Sequence, residues 1–594
     1  MWRRQRGQMK LSYGISDFMK MRTTGLLYVD KTAYIEKLEQ LNADYVFFIR
    51  PRRFGKSLFL SVLEHYYDVK HKDEFSRLFS DLYIGEHPTE LRNKYIVLKL
   101  NFSALNTGSK TELEASFSRR VIQGIRDCTF KYPEYFDGIL IKWDEHITSM
   151  MDVGAILLTF LSSVKQTGFK VYLFIDEYDH FANDIIAMGS GDLYKDVIHA
   201  SGIVRDFYEA VKIGAESVID RLFITGISPI MLDDMTSGFN ISTNLTMHVA
   251  VNEMLGFTEQ EVRNIMDHIG MDQDREGLME ELRNNYNGYL FNKDGQARVY
   301  NPDMILYFFH QWQTTGQFPE QLIDDNVKTD YGRLKRLIAN EHNRLLLDEI
   351  IQSEKIAADI VSKFSFDQMY DENYFVSLLF YMGLLTIDRQ EKTRLLLKVP
   401  NYVIKTLFWE FITQRLERNY ELHLNTGELR KSIEIMAYEG RIRPYIEYIS
   451  KHVIIPLSNR DLAGFDEKHI KVILFAYLSE SRAYRPVSEL ENENGFIDIY
   501  LERDRRIPDI RFEWILELKY LKKSDAKMLE ETKRKGIQQL ERYSASRNFG
   551  ERTDVKQALI IFIGKDELVV VEKTQENVCV TTTVVLSIGC TLSN

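Results

Sequence analysis

Three short groups of residues have side chains and spacings that suit chemistry on phosphates. The first is Gly55-Lys56-Ser57, which follows the apolar run 46–49 and a basic loop. A strand, a tight loop and a helix start would direct backbone N–H groups and the helix dipole toward an anion. In that arrangement we expect Lys56 to reach the β- and γ-phosphates of a nucleotide and Ser57 to hold Mg²⁺.

The motif around this loop is incomplete, which leaves an alternative open. The full pattern is G-x-x-x-x-G-K-[ST], and Arg50 stands at its first glycine position. A bare Gly-Lys-Ser also occurs where an ordinary capped helix follows a strand. On the phosphate-binding interpretation, Arg52, Arg53 and Phe54 join the three residues above in contacting the nucleotide.

The second group is Asp176-Glu177, at the end of the apolar run 171–175. A continuous apolar strand is typical of a parallel sheet covered on both faces, and ligands bind at the carboxyl ends of such strands. Asp176 is predicted to coordinate Mg²⁺ through water, and Glu177 to orient and polarise the attacking water. The alternative, a solvated acidic turn, is less favoured because a phosphate loop ends another strand.

A polar side chain also ends the next predicted strand, residues 221–227. Thr225 would lie beside the γ-phosphate and sense it, and a plain Thr-Gly turn is an equally good interpretation. The predicted order is phosphate loop, strand 95–102, acidic strand and polar-ended strand, with helices between them. That order predicts an α/β nucleotide-binding sheet, of the ATPase branch that carries a catalytic glutamate beside the Mg²⁺ aspartate.

The third group, Asp498, Glu517 and Lys519, lies on two predicted strands, 496–501 and 510–520, joined by a polar turn. Glu517 and Lys519 are two residues apart, so their side chains share a face. If the strands pair through the turn, Asp498 lies close to Glu517. Two carboxylates that hold Mg²⁺ and a lysine that stabilises charge or positions water are the minimum for metal-dependent phosphodiester hydrolysis. An antiparallel hairpin with outward charges is the alternative.

Spacing decides which acidic residues accompany Glu517. Pro508-Asp509 lies only eight residues before Glu517, which is too short for a strand, a turn and a return. Glu489, predicted to lie on a preceding helix, is an additional candidate metal ligand. The basic run 519–535 could supply phosphate contacts, although a solvated helix face is the commoner explanation of such a run.

Composition places the chain among ordinary globular proteins with several domains. It has 594 residues, 44% apolar and 27% charged, and a net charge of −11, so nucleic acid would need a local basic patch. Three cysteines, Cys128, Cys579 and Cys590, form no zinc pattern or disulfide framework, which suits a reducing cytoplasm. No apolar run approaches the ~20 residues of a membrane span, and residues 1–8 are expected to be a loose tail.

The chain is predicted to divide into four segments along its length. Residues 10–310 would form the nucleotide-binding domain and residues 311–455 a helical lid and linker, with a small winged-helix element as one interpretation. Residues 456–575 would carry the second site, and residues 576–594 a tail. The β-branched stretch 567–594 also predicts an edge strand with a poorly defined end.

Seven short motifs resemble, in order, those of the bacterial and archaeal AAA-ATPase-like family. They are YVDKT (28–32), RPRRFGKSL (50–58), FIDEYDH (174–180), FITGISPI (223–230), GFTEQEV (256–262), YNGYLF (286–291) and VYNPDMI (299–305). In this family the arginine-rich loop stands in for the glycine-rich one, so Arg50 fits. The resemblance spans about residues 10–310 and implies ATP binding more firmly than turnover. ATPases of this type often complete their sites across subunits, so a homo-oligomer is expected, although no arginine can be singled out as a trans finger.

Residues 460–570 resemble the PD-(D/E)xK nuclease superfamily, in the version that follows AAA-ATPase-like domains. The resemblance places Asp498, Glu517 and Lys519 on catalytic positions and Glu489 on an accessory, metal-binding one. It implies a C-terminal α/β domain like that of restriction endonucleases. It also implies Mg²⁺ as a cofactor and nucleic acid, DNA in the first instance, as a partner.

Two functions follow from these expectations. The favoured one is a cytoplasmic protein in which ATP binding or hydrolysis gates a Mg²⁺-dependent nuclease, with defence against mobile DNA as a role by analogy. The alternative is an ATP-dependent switch or scaffold whose C-terminal domain binds nucleic acid or a partner without cleaving it.

Overall fold

The computed structural model of the protein describes residues 10–136, 152–187, 191–198, 202–231, 239–271, 274–324, 328, 341–363, 371–457, 466–550, 552–565, 567–573 and 579–585. The chain folds into two compact units, Met1–Ile404 and Lys405–Asn594. Within the described ranges, no helix combines the length and the apolar character needed to cross a bilayer.

A five-stranded sheet forms the centre of the first unit. Its order is β2-β3-β4-β1-β5 and all neighbouring strands are parallel. The strands are β1 (Tyr45–Ile49), β2 (Tyr95–Asn101), β3 (Lys170–Asp176), β4 (Ile219–Gly226) and β5 (Thr243–Asn244). The interior of β1 to β4 is almost entirely buried, which explains their continuous apolar sequences. The predicted α/β fold with a parallel sheet is confirmed, and β4 lies between the strand before the Gly-Lys-Ser loop and the acidic strand.

Helices surround this sheet and continue beyond it. In chain order they are α1 (Phe18–Thr24), α2 (Ala33–Gln40), α3 (Lys56–Tyr67), α4 (Phe75–Phe79), α5 (Tyr83–Glu86), α6 (Lys110–Lys131), α7 (Pro133–Phe136), α8 (Val153–Thr167), α9 (His180–Ala187), α10 (Gly191–Ile198), α11 (Ile203–Ala215), α12 (Glu259–Ile269), α13 (Arg275–Tyr286) and α14 (Pro302–Thr315).

Capping residues explain where two of these helices start. A capping box of Thr258 and Glu261 starts α12, and Asn301 followed by Pro302 starts α14. Helix α3 instead follows Gly55, which has φ of 89° and provides no side-chain cap. The N–H groups of its first turn are therefore left for a ligand.

The middle region is helical, as predicted, and also contains a small antiparallel sheet. Helices α15 (Glu341–Ser353) and α16 (Glu372–Tyr381) accompany β6 (Lys355–Ala358), β7 (Thr386–Glu391) and β8 (Arg394–Lys398). The strand order is β6-β8-β7. Among the described residues, the chain order here is helix, strand, helix and a two-stranded hairpin.

The turn between α16 and β7 touches the phosphate loop. Gly383 in this turn has φ of 79°, and a Cβ atom there would lie 2.9 Å from Cβ of Pro51. At the end of this turn, the Thr386 hydroxyl accepts a hydrogen bond of 2.7 Å from the backbone N–H of Leu290. This bond connects the start of β7 to the segment that contains Leu290. The middle region thus supports the loop directly.

We expect Gly383→Ala to destabilise the first unit more than Gly316→Ala does. Both glycines have positive φ, which costs an alanine about 1 kcal/mol, but a Cβ at Gly316 meets no atom within 4 Å. The contact with Pro51 should add about 1–3 kcal/mol of overpacking at Gly383. Thermal unfolding midpoints of the two variants test this difference. Equal losses would mean that the contact with Pro51 carries no free energy.

The second unit is built on a six-stranded sheet of order β14-β13-β12-β11-β10-β9. Its strands are β9 (Tyr484–Asn492), β10 (Gly495–Arg503), β11 (Glu513–Leu521), β12 (Val555–Ile563), β13 (Glu567–Lys573) and β14 (Cys579–Val585). Only β11 and β12 are parallel neighbours. The expected edge strand is β14. The helices are α17 (Tyr402–Asn419), which crosses the boundary between the units, α18 (Thr426–Glu434), α19 (Arg443–Ile449), α20 (Glu467–Leu478) and α21 (Leu529–Ser544).

The prediction of a helix at Glu489 is wrong, because this residue lies on β9. Strand β9 pairs antiparallel with β10, from Asn492 opposite Gly495 onward. Only two residues, Glu and Asn, separate Asn492 from Gly495, and Gly495 has φ of 126°. A loop this short, with a glycine at positive φ beside it, is typical of a tight hairpin turn. Pairing in this hairpin therefore places Glu489 and its polar neighbours on a strand, where the sequence predicted a helix.

Candidate functional site

Arg50 occupies the first glycine position of the phosphate loop, and its side chain is buried in the protein. Its guanidinium donates hydrogen bonds to the carbonyls of Thr246 at 2.7 Å and Val251 at 3.0 Å. It also lies 4.2 Å from the ring centre of Phe48 and 4.0 Å from that of Phe291. The Arg50 side chain therefore stabilises the base of the phosphate loop from the protein interior. It leaves the anion-binding side of the loop open.

Lys56 lies inside the loop that it follows. Its Nζ donates hydrogen bonds of 2.9 Å to the carbonyls of Arg50 and Pro51. Burial lowers the pKa of Lys56 to about 8, although the carboxylates of Asp176 and Glu177 oppose that shift. The loop thus holds a desolvated cation at the point where phosphate oxygens would bind.

Ser57, in the first turn of α3, contacts Asp176, the last residue of β3. The Ser57 hydroxyl donates a hydrogen bond of 2.7 Å to Oδ2 of Asp176, and Nδ2 of Asn101 lies 3.5 Å from the same oxygen. Asp176 is buried at the carboxyl end of β3. A hydroxyl and a carboxylate are oxygen ligands of the kind that hydrated Mg²⁺ takes, so the pair fits this ion.

Glu177 and Thr225 place two further polar groups at the same edge of the sheet. Glu177 has φ of 51° and a side chain that is 35% exposed, and it lines the cavity above the loop. The hydroxyl of Thr225 is buried at the end of β4 and makes no hydrogen bond to any of the described residues. A buried hydroxyl without a partner costs free energy, which an oxygen of a ligand at this edge would recover.

A cavity of about 390 Å³ extends from the phosphate loop. Arg52, Arg53, Phe54 and the Gly-Lys-Ser residues line it together with Glu177. Much of the remaining lining is apolar and includes Ile15, Met21, Leu27, Val29, Met254 and Leu306. Cavities of this size with a few polar groups at one end are typical of small-molecule sites.

Six of the seven sequence motifs contribute residues to the lining of this cavity, and YNGYLF does not. Lys31 of the YVDKT motif donates a hydrogen bond of 2.8 Å to Glu261 of GFTEQEV and one of 3.0 Å to the carbonyl of Glu253. Nδ2 of Asn301, in VYNPDMI, lies 3.4 Å from the carbonyl of Arg52. These contacts explain why motifs so far apart in the sequence accompany one loop.

The second candidate site lies where strands β10 and β11 separate. Their ladder pairs residues 499–501 with 514–516, and beyond it the Asp498 carboxylate accepts a hydrogen bond of 3.3 Å from the N–H of Leu518. Nζ of Lys519 lies 2.8 Å from Oε1 of Glu517 and 3.6 Å from Oδ2 of Asp498. The structure thus brings together the three residues that spacing had selected.

Glu467 is a fourth member of this group, and sequence reasoning missed it. It begins α20, its Oε2 lies 3.6 Å from Nζ of Lys519, and its Oε1 accepts a hydrogen bond of 3.3 Å from the N–H of Tyr520. The available signal was the acidic pair Asp466-Glu467 at the start of an apolar helix.

Glu489 lies beside the group and is less closely tied to it. The ladder between β9 and β10 pairs Ser488 with Ile499 and Leu490 with Ile497, so Glu489 stands across from Asp498. Its φ of 51° marks an irregular backbone at this point. Its side chain is 68% exposed, and its Oε1 lies 3.7 Å from Nζ of Lys471.

The charges around Lys519 suit a divalent cation. Burial and, next, the charge of Asp498 raise the pKa of Glu517 to about 7, despite the hydrogen bond from Lys519. Oε2 of Glu517 is buried and accepts no hydrogen bond from the described residues. Glu467, Asp498 and Glu517 together outnumber the single ammonium, and a metal ion would satisfy both the excess charge and the orphaned oxygen.

Comparisons with known proteins agree with this division. Residues 12–236 match the family described as predicted AAA-ATPase, and residues 465–572 match the PD-(D/E)XK nuclease superfamily. An uncharacterized protein in the vnfD 5′ region of Azotobacter chroococcum mcd 1 is 25% identical over 438 residues, covering 71% of this chain and 73% of its own length. A solved Walker-type ATPase of Pyrococcus abyssi is 13% identical with a TM-score of 0.38, and the match covers 68% of this chain and 99% of that one. The two family models identify an AAA-ATPase-like domain in this chain and, after it, a PD-(D/E)XK nuclease-superfamily domain.

Proposed function

We propose that this chain is an ATPase whose nucleotide site controls a Mg²⁺-dependent nuclease that acts on nucleic acid, DNA in the first instance. The observation that supports the proposal most is the group around Lys519, whose ammonium lies within 3.6 Å of Glu467, Asp498 and Glu517. Three carboxylates with one ammonium leave an excess of negative charge around Lys519, as metal-dependent phosphodiester hydrolysis requires.

In the first unit, each residue would have one role in ATP hydrolysis. The first-turn N–H groups of α3 and the Lys56 ammonium bind the β- and γ-phosphates. Ser57 and Asp176 hold Mg²⁺. Glu177 orients the attacking water and accepts its proton, and the Thr225 hydroxyl contacts the γ-phosphate.

In the second unit, Asp498 and Glu517 would hold the metal, with Glu467 and Glu489 as accessory carboxylates. Bound Mg²⁺ would polarise the scissile phosphate and lower the pKa of a water molecule. Lys519 donates a hydrogen bond to that water or to the charge that develops on the phosphate. Exposed basic residues that follow β11 would contact phosphates of the nucleic-acid backbone. They are Lys522, Lys523, Lys527, Arg534 and Lys535.

The affinity for ATP should depend on pH through Lys56. Because burial lowers the pKa of Lys56 to about 8, the free protein loses this positive charge above that pH, and only the charged form attracts phosphates. We expect the Kd for ATP to rise about tenfold from pH 7 to pH 9. Titration calorimetry at both values measures it, with Lys56→Arg as the control that keeps its charge. A Kd that stays constant for the wild type would contradict the assigned role.

The proposal is tested by incubating the purified protein with plasmid and single-stranded DNA and RNA, with Mg²⁺ or Mn²⁺, with and without ATP. We expect metal-dependent cleavage that changes with ATP, together with ATP turnover. ATP binding without cleavage of any substrate would instead favour the switch or scaffold.

Three further features belong to the proposal. A homo-oligomer is expected by analogy with ATPases that complete their sites across subunits. A cytoplasmic location suits the three cysteines, which form no disulfide framework in the sequence. Defence against mobile DNA is the role that an ATP-controlled nuclease of this kind would serve.

A further inference from the structure

Asp179 is a buried carboxylate that the mechanism above does not use. It lies two residues after Glu177, in the turn from β3 to α9, and is 1% exposed. Its oxygens accept hydrogen bonds from the N–H of Ile227 at 3.1 Å, the N–H of Ser228 at 2.7 Å and the hydroxyl of Ser228 at 2.8 Å. Nδ2 of Asn183 donates a fourth, of 2.7 Å.

These donors come from the segment that follows Thr225. The approach is so close that a Cβ atom on Gly226 would lie 2.2 Å from Oδ1 of Asp179. Position 226 therefore requires a glycine, which lets the Asp179 carboxylate hydrogen-bond directly to the backbone of residues 227 and 228. The second aspartate of FIDEYDH and the Gly-Ile-Ser of FITGISPI are thus two halves of one contact.

Tyr178 makes the same connection from the neighbouring position. Its N–H donates a hydrogen bond of 3.2 Å to the carbonyl of Thr225, and its hydroxyl donates one of 2.5 Å to the carbonyl of Ser228. Glu177, with φ of 51°, stands at the start of this doubly fixed turn. A non-glycine residue keeps such a conformation only when its surroundings impose it.

We propose that Asp179 is a positioning residue that locks Glu177 and Thr225 into one rigid group facing the γ-phosphate. The inference rests on the proposed ATPase function. Glu177 acts on the attacking water and Thr225 on the phosphate that receives it, so the two must keep a fixed separation. A displacement of about 1 Å in such a group costs on the order of 10²-fold in rate.

The test compares ATP turnover and ATP binding in Asp179→Asn. Asparagine keeps the shape but turns one acceptor into a donor that faces N–H groups. We expect kcat to fall about 10- to 100-fold, with the Kd for ATP within about threefold of the wild type. Asp192→Asn, on the exposed surface of α10, is the matched control and should change neither value.

Ser228 supplies a milder variant in case Asp179→Asn fails to fold. Ser228→Ala removes one donor and should lower kcat a few-fold, whereas Ser228→Thr keeps the hydroxyl and should restore it. The double variant Asp179→Asn/Ser228→Ala should have a kcat no lower than that of Asp179→Asn alone, because both substitutions act through one contact.

Two of the remaining outcomes overturn the inference about Asp179 alone, and a third also overturns the proposed ATPase. If the wild type hydrolyses ATP, and folded Asp179→Asn and Ser228→Ala have the same kcat as the wild type, only the inference about Asp179 is overturned. A parallel loss of kcat, ATP affinity and thermal stability in both variants also overturns it, since Asp179 is then only structural. A wild-type protein that binds ATP without hydrolysing it overturns the proposed ATPase, and this inference with it.

Discussion

Replacing Glu177 with glutamine is expected to lower the rate constant of ATP hydrolysis by about 10²–10⁴-fold, the usual contribution of a general base. Glutamine has the same shape and can still hydrogen-bond to water, but it cannot accept the proton that the water releases. Because Glu177 is not among the residues expected to hold the phosphates or Mg²⁺, the Kd for ATP should stay within about threefold. The variant should therefore trap bound ATP.

Single-turnover hydrolysis and equilibrium binding of ATP separate these two effects. Glu216→Gln is the matched control, because Glu216 is exposed at the end of α11. Unchanged turnover in Glu177→Gln would remove Glu177 from the mechanism. A loss of ATP binding equal to the loss of turnover would instead place Glu177 among the binding residues.

The trapped complex also shows whether the two units communicate. If ATP hydrolysis resets the nuclease, Glu177→Gln should hold cleavage at its ATP-bound level after ATP is mixed with the protein. If ATP binding alone is the signal, the variant and the wild type should cleave at the same initial rate. The comparison uses the full chain and one substrate.

The sequence predicted the strand ends of the first unit because a buried parallel strand has an unmistakable pattern. The predicted strands end at or within one residue of the observed ends of β1, β3 and β4, so the Gly-Lys-Ser loop, Asp176 and Thr225 were placed at one edge of the sheet. What the pattern could not show was the role of Arg50. Its partners, Thr246 and Val251, lie about 200 residues away and offer only backbone carbonyls.

The same limit applies to contacts made by buried polar side chains. Asp179 reads as one more acid in an acidic turn, and only the fold brings Ile227 and Ser228 to it. The contact between Gly383 and Pro51 is equally invisible, because neither residue carries a group that specifies a partner. Motif order showed that these segments belong together and could not show which atoms meet.

In the second unit, chain geometry predicted more than motif matching did. Asp509 is part of the written motif but is exposed in the turn between β10 and β11. Asp498, chosen because a hairpin needs length, is the aspartate that reaches Lys519. Local spacing cannot find Glu467, which lies 50 residues before Glu517 on another element. It also misjudged Glu489, since a polar hairpin strand and a polar helix have similar compositions.

Replacing Lys519 with alanine is expected to lower metal-dependent cleavage by about 10²–10³-fold, as the loss of one preorganised donor does in other active sites. The ammonium is the one positive group within 3.6 Å of Glu467, Asp498 and Glu517 that the structure records in this cluster. Its removal leaves the carboxylates in place. Metal affinity should therefore be kept or increased, because a competing cation has been removed.

Asp498→Asn separates this role from metal binding. It removes a carboxylate, so we expect it to weaken Mn²⁺ binding and cleavage together, whereas Lys519→Ala should lose cleavage alone. Nicking of plasmid DNA and Mn²⁺ binding by calorimetry measure the two quantities, with Lys431→Ala, on the exposed surface of α18, as the control.

The two variants also decide what kind of site the group around Lys519 forms. If Lys519→Ala lost metal binding as well, the lysine would only hold the carboxylates in place, and an unpaired buried Glu517 would be expected to lower stability without metal. If both variants cleaved like the wild type, the nuclease activity would come from elsewhere. Cleavage lost with metal retained is the one result that requires Lys519 to act on the phosphate or on the attacking water, because no structural role of the ammonium predicts that separation.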